Sequence, residues 1–145
     1  MTSLADRRAR FRALHQSGCF TLPNPWDGGG AVRLAKAGFE ALASTSAGAA
    51  WALGKADGEM GLEEVLEHLR FMASVTDLPL NADFEAGFGD TPDAVAASVA
   101  RCVETGVAGL SIEDKDPRSG AFFPAGRPWP ASPPPAPPST ARGRT

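Results

Sequence analysis

The sequence contains few of the residues that build sulfur- or imidazole-based sites. Its 145 residues include two cysteines and two histidines. Cys19 and Cys102 show no C-x-x-C spacing and no histidine-rich surroundings, so we do not expect a zinc site. Two isolated cysteines are most simply interpreted as reduced thiols, which is typical of a cytosolic protein.

Long apolar runs are also lacking. No segment approaches the ~18 apolar residues that cross a membrane, so a membrane partner is not expected. The N-terminal stretch MTSLADRRARFRALHQ is basic, but no apolar core follows it, which argues against a secretory signal. We therefore expect a cytoplasmic protein of about one domain.

Acidic residues are missing from the last part of the chain. All 17 precede position 117, and residues 1–116 carry a net charge of −7, which argues against a nucleic-acid partner. Nine of the 29 residues in 117–145 are prolines, and this stretch has no apolar period. We predict a folded domain over 1–116 and a disordered or polyproline-like tail over 117–145. An SH3-type ligand is the functional alternative for the tail.

Within the folded domain, helical and strand patterns alternate. Helical spacing of apolar residues or capping signals predict helices over 3–16, 27–38, 61–76 and 91–106. Short apolar stretches predict strands over 19–24, 39–46, 78–85 and 107–114. This alternation indicates parallel strands joined by right-handed crossovers.

Carboxylates lie at the ends of these predicted strands. In strand 78–85, the alternation of side chains places Asp83 and Glu85 on one face. Glu113 lies at the carboxyl end of the next strand, and Asp57 lies in the loop after the second strand. In a parallel α/β barrel, the carboxyl ends of the strands build the active site. Oxygen ligands without His or Cys favour Mg²⁺ or Mn²⁺, although single acids at strand ends are often only solvated.

Two further groups lie at the same predicted rim. Ser44, Thr45 and Ser46 can bind a carboxylate or phosphate oxygen, or they are simply small residues that fit a tight barrel. Trp26 ends the first predicted strand, where it contacts substrate or serves as a packing residue.

Three stretches together resemble one protein family. They are LPNPWDGGGAVRLAKAGFEALASTSAGAAWALGKADG, LPLNADFEAGFGD and GLSIEDK. The pattern D-x-[DE]-x-G-[FY]-G, followed by I-E-D, is fairly specific. Over residues 8–116 the chain resembles the first half of the isocitrate lyase/phosphoenolpyruvate mutase superfamily barrel.

The resemblance implies a TIM-type (β/α)₈ barrel, here incomplete with about four βα units. It implies a Mg²⁺-dependent (or Mn²⁺-dependent) lyase or mutase that acts on C–C or C–P bonds of small 2-oxo-acid-related substrates. Family members are typically homo-oligomeric. By position, the resemblance assigns the metal to Asp83, Glu85, Asp57 and Glu113, substrate binding to Trp26, Ser44, Thr45 and Ser46, and catalysis to Glu113 and Lys115.

The sequence departs from the family in two places. Lyases of the family carry a Lys/Arg-Cys-Gly-His loop after I-E-D, whereas residues 115–126 read KDPRSGAFFPAG. The E-D-K at 113–115 is closer to the mutase and phosphonopyruvate hydrolase pattern. The chain also supplies only four of eight strands. The alternatives are therefore a truncated, catalytically inactive family fragment and, as a different class, an interaction module that presents the proline-rich tail.

Overall fold

The fold is a parallel three-stranded sheet with helical crossovers. A computed structural model describes residues 2–115 and 121–122. The strands pair in the order β1-β2-β3, with Asn81 opposite Gly109 and Asp83 opposite Ser111. The strands are β1 (Leu42–Ala43), β2 (Leu80–Asp83) and β3 (Gly109–Ser111). The helices are α1 (Leu4–Leu14), α2 (Gly28–Lys36), α3 (Ser46–Ala52), α4 (Leu62–Ser74) and α5 (Pro92–Glu104).

The predicted parallel α/β class is confirmed. Both strand pairs are parallel; α3 and α4 separate β1 from β2, and α5 separates β2 from β3. The finer expectation, four βα units of an incomplete barrel, stays a prediction. The prediction for the proline-rich tail lies outside the described residues except at Ala121 and Phe122, where Phe122 forms an antiparallel bridge with Lys115.

The prediction of a first strand over residues 19–24 is wrong. This segment lies beside β1 without forming a strand: the Ala43 amide donates to the Pro23 carbonyl at 3.0 Å, and the Asn24 side chain donates to the Ser44 carbonyl at 3.3 Å. Pro23 and Pro25 have no amide proton, so the ladder cannot continue along this segment.

The second predicted strand, residues 39–46, is shorter than expected, because α3 begins within it. The Thr45 hydroxyl accepts a hydrogen bond from the Gly48 amide at 3.2 Å, which is an N-cap contact. The alanine-rich sequence that follows favours helix.

The helices predicted over 61–76 and 91–106 are confirmed as α4 and α5. α5 has Thr91 as its N-cap and Pro92 in its first turn, as expected from the sequence. Apolar side chains from α4 pack against the sheet and form the centre of the core with Phe84, which is fully buried. The core residues from α4 are Val65, Leu66, Leu69 and Met72.

α1 packs at the amino end of the strands. Its Arg7 donates to the Ala73 carbonyl at 2.7 Å, and Arg8 donates to the carbonyls of Val103 and Val107 at 2.8 and 3.1 Å. These carbonyls lie near the C-terminal ends of α4 and α5, where backbone oxygens lack helical partners. The two arginines therefore join both crossover helices to α1. No helix in the described part of the chain is long and apolar enough to cross a membrane.

Candidate functional site

Asp83 is the last residue of β2, and its polar groups are tied to the end of β1. Its amide donates to Ser44 Oγ at 2.9 Å. Its Oδ2 accepts hydrogen bonds from the amide and the hydroxyl of Ser46 at 2.8 and 2.9 Å. Two donors on one carboxylate oxygen fix the orientation of the side chain.

Glu85 lies in a turn rather than on the predicted strand 78–85, which ends at Asp83. Its φ of 45° is in the left-handed region, which is uncommon for a residue with a side chain. The Phe84 carbonyl accepts from the Gly87 amide at 2.9 Å, and this contact closes the turn. The Glu113 amide donates to the Glu85 carbonyl at 2.7 Å, so the turn stays attached to the segment after β3.

One cavity brings most of the predicted site residues together. Its volume is about 80 Å³. Carboxylates, one ammonium and one hydroxyl converge there, and the lining residues are Ser46, Asp57, Gly58, Glu85, Ala86, Glu113 and Lys115. The predicted metal ligands Asp57, Glu85 and Glu113 thus share this cavity with the predicted catalytic residue Lys115. The mouth lies beyond the carboxyl ends of the strands, as expected for a parallel sheet.

The neighbouring carboxylates and partial burial disfavour ionisation of Glu85. Partial burial raises its pKa, and the charges of Asp57, Asp83 and Glu113 add to this effect and bring it to about 7. A group with this pKa is half protonated near neutral pH. A bound cation would relieve the repulsion and restore full ionisation.

The loop that carries Asp57 is fixed at both ends by Glu64 of α4. One Glu64 oxygen accepts from the Lys55 ammonium, and the other accepts from the Gly61 amide at 2.9 Å. The hydrogen bond from Lys55 is the main cause that lowers the pKa of Glu64. Asp57 is exposed at the loop tip, beside Gly58 with its φ of 81°.

A hard divalent cation fits the chemistry of these donors, which are all oxygens. In residues 2–115 and 121–122, however, no three Asp, Glu, His or Cys side chains are close enough to coordinate one ion together. Magnesium keeps several of its waters in protein sites, so an ion here would contact some of these carboxylates through water.

The predicted substrate-binding residues are placed apart from this cavity, with the exception of Ser46. Ser44 and Thr45 lie next to Asp83 in a second, smaller cavity, and their hydroxyls accept from the backbone amides of Asp83 and Gly48. Trp26 is 56% exposed and packs beside α3. The contact is close at Gly48, because a Cβ added there would lie 2.9 Å from the Trp26 Cβ. The substrate-binding roles stay predictions.

His68 is a polar residue of this region that the sequence did not single out. It lies on the core side of α4 and lines the smaller cavity with Asp83 and Ser46. Burial lowers the pKa of His68, so its ring is neutral at pH 7. A lone histidine within an apolar helical stripe carries no signal that separates it from a core residue.

Comparisons with known proteins identify a family profile and relatives that match most of the described chain. The phosphoenolpyruvate phosphomutase family profile matches residues 11–127. The 2-methylisocitrate lyase of Escherichia coli is 39% identical over 82 residues, which are 55% of this chain and 28% of the lyase.

Solved structures have a similar fold. A Burkholderia cenocepacia protein described as a lyase/mutase is 44% identical, with a TM-score of 0.80, and the match covers 84% of this chain and 44% of that protein. Oxaloacetate acetylhydrolase, solved with its product oxalate, is 26% identical with a TM-score of 0.75, over 86% of this chain and 45% of that one. The chain therefore spans less than half the length of these relatives.

Proposed function

Because the chain belongs to the isocitrate lyase/phosphoenolpyruvate mutase superfamily, we propose that its acid-lined cavity binds Mg²⁺ (or Mn²⁺) and a small 2-oxo-acid-related carboxylate. The proposed reaction makes or breaks a C–C or C–P bond next to the oxo group. The names of two relatives support a small carboxylate substrate, since one acts on 2-methylisocitrate and the other on oxaloacetate.

The observation that carries this proposal is the convergence of acids around Glu85. Asp57, Asp83 and Glu113 come from three separate segments, and the charge of each raises the pKa of Glu85. Uncompensated carboxylates in one cavity destabilise a fold, so such clusters are typical of cation-binding or catalytic sites. The bound ion would supply Lewis-acid stabilisation of negative charge on the substrate oxygens.

The residues of the chain take distinct proposed roles. Asp83, held by its two hydrogen bonds from Ser46, presents a fixed carboxylate toward the ion. Glu85, Asp57 and Glu113 would help to hold the ion in the cavity. Lys115 places a positive charge in the same cavity. It would bind an anionic substrate oxygen and partly neutralise the charge of Glu113.

The test is a calorimetric Mg²⁺ titration followed by assays with oxaloacetate, phosphonopyruvate and 2-methylisocitrate. We expect saturable Mg²⁺ binding, and turnover of at least one substrate that stops when EDTA is added. Asp83→Asn is expected to weaken Mg²⁺ binding at least tenfold, because it removes the charge and keeps the size. Ser74→Ala, in an exposed part of α4, is the matched control. Absence of Mg²⁺ binding rejects the proposal.

The alternative, a catalytically inactive member, predicts a different result in the same experiment. It retains Mg²⁺ binding with no turnover of any of the three substrates. The relevant comparison is a full-length relative assayed in parallel, because this chain spans 28% of the E. coli lyase that it matches.

A further inference from the structure

Ser98 is a buried polar residue of α5. It is 3% exposed, and the other buried side chains of this helix are Val95 and Cys102. The Ser98 hydroxyl donates to the carbonyl of Gly87, which lies 11 residues earlier in the chain, outside the helices and strands. A polar group on a buried helix face is nearly always bonded to a partner. The partner here belongs to the turn that carries Glu85.

The bond to Gly87 is the contact of Ser98 that leaves its own helix. Ser98 Oγ also lies 2.8 Å from the Val95 carbonyl, three residues earlier in α5. A hydroxyl has one proton, which these two carbonyl oxygens share. The Val95 carbonyl lies inside the helix, where it accepts the amide one turn later. Gly87 is buried between β2 and α5, so the hydroxyl connects α5 to the turn.

The turn that carries Glu85 has an unusual backbone and lies directly on α5. Glu85, Gly87 and Phe88 have φ values of 45°, 83° and 54°. Such conformations persist in residues with side chains only where the surrounding structure fixes them. A Cβ added to Gly87 would lie 2.8 Å from Val95 Cγ1, and one added to Gly89 would lie 2.5 Å from the Val95 amide nitrogen. Contacts with α5 therefore help to define the backbone of this turn.

Hydrogen bonds hold the turn from two sides. The Glu113 amide donates to the Glu85 carbonyl at 2.7 Å, and the Ser98 hydroxyl donates to the Gly87 carbonyl. Glu85 and Ala86 line the acid-lined cavity between these two points. A shift of the turn on its α5 side would therefore move the Glu85 side chain relative to the other acids of the cavity.

We propose that Ser98 is a positioning residue for Glu85. Its hydroxyl holds the Gly87 carbonyl, and this bond keeps the turn seated on α5 with the Glu85 carboxylate at the cavity. Ser98 acts from the buried side of the turn, through the backbone. The effect on Mg²⁺ binding rests on the proposed function, whereas the bond between α5 and the turn does not.

The bond is tested first without Mg²⁺. We expect a crystal structure of the wild type to place Ser98 Oγ within about 3.2 Å of the Gly87 carbonyl oxygen. In Ser98→Ala, we expect the amides of Gly87 and Glu113 to exchange their hydrogens about tenfold faster, because both donate within or to the turn. A separation above about 3.5 Å in the wild type, or unchanged exchange at both amides, overturns the proposal.

The positioning role is tested by calorimetric Mg²⁺ titration of three variants. Ser98→Ala is expected to weaken Mg²⁺ binding about tenfold, the lower range seen when a supporting partner of a metal ligand is removed. Ser98→Thr keeps the hydroxyl and is expected to stay within about threefold of wild type. Thr105→Val is the matched control and should bind Mg²⁺ normally. Thr105 is also buried, and its hydroxyl donates at 2.7 Å to the carbonyl of Cys102, three residues earlier on α5.

The outcomes separate the two proposals. Normal Mg²⁺ binding by Ser98→Ala, or an equal loss in Thr105→Val, overturns the positioning role and leaves the proposed function intact. Failure of the wild type to bind Mg²⁺ rejects the proposed function and the effect of Ser98 on binding, and the crystal and exchange data alone then decide the bond to the turn. If Ser98→Ala does not fold, Ser98→Cys replaces it, because a thiol is a weak donor and the same tenfold loss is expected.

Discussion

The Glu113 amide donates a 2.7 Å hydrogen bond to the Glu85 carbonyl. Glu85 follows the end of β2 and Glu113 follows the end of β3, so the bond joins the two segments just beyond the sheet. The bond extends the pairing of β2 and β3 into the turn. It holds Glu85 in a left-handed backbone conformation, which costs about 1 kcal/mol or more for a residue with a side chain. Strain of this kind is concentrated at functional sites, and here it places a carboxylate at the cavity.

The raised pKa of Glu85 predicts how stability depends on pH in the metal-free protein. Between its ordinary value of 4.5 and about 7, the folded protein binds more protons than the unfolded chain. The free energy of unfolding should therefore fall as pH rises through this window. After allowance for the partial exposure of Glu85, we expect a loss of about 1–2 kcal/mol between pH 5 and pH 8.

Urea unfolding in EDTA at these two pH values measures this loss. Glu85→Gln has no titrating group at this position, so its free energy of unfolding should differ less between pH 5 and pH 8. An equal difference in wild type and variant would contradict the assignment to Glu85.

Ser46→Ala is predicted to weaken Mg²⁺ binding severalfold without a large change in stability. The variant removes the hydroxyl that donates to Asp83 Oδ2 at 2.9 Å, but the Ser46 amide still donates to the same oxygen at 2.8 Å. Calorimetry gives the affinity, and urea unfolding gives the stability. Ser46→Thr keeps the hydroxyl and should restore most of the affinity; equal losses in the two variants would mean that the hydroxyl is not the cause.

Gly109→Ala is predicted to destabilise the fold by about 1–3 kcal/mol, as other overpacked cores do. A Cβ at this position would lie 2.5 Å from Phe11 Cε1, which is too close for a carbon–carbon contact. Urea unfolding measures the loss. In a Phe11→Leu background, which removes the ring, the added cost of the alanine should shrink. If the cost is unchanged there, the clash with Phe11 is not its source.

Arg8→Met is predicted to cost about 1–2 kcal/mol of unfolding free energy, because it removes charged donors from the carbonyls of Val103 and Val107. Arg10→Met on the same helix is the matched control. Among the residues that the structure describes, Arg10 forms only an exposed ion pair with Glu40 at 3.7 Å, which contributes little. Similar losses in both variants would argue against the role of Arg8. Mg²⁺ affinity should be unchanged in both.

The sequence predicted the parts of the fold that depend on local pattern. The apolar stripe of α4 and the Thr91-Pro92 start of α5 appear where their spacing and capping signals place them. The gathering of Asp57, Glu85 and Glu113 followed from a general property of parallel sheets, whose carboxyl ends share one edge.

Other features depend on contacts that local pattern does not contain. Residues 19–24 are apolar enough for a strand, but Pro23 and the adjoining Pro25 lack the amide protons that a ladder needs. The turn at Glu85 depends on the bond from Glu113, which is 28 positions away. The hydrogen bonds between Asp83 and the two serines Ser44 and Ser46 depend on the register of β1 against β2. The alternation of side chains in the sequence does not specify which strands pair.

Arg7 and Arg8 anchor α4 and α5 at the end of the sheet opposite the acid-lined cavity. These hydrogen bonds add to the apolar core in holding the crossover helices, and replacement of loop residues between 53 and 61 leaves them untouched. The loop at the mouth of the cavity can therefore change in sequence without loss of the arginine contacts that hold the scaffold at the opposite end.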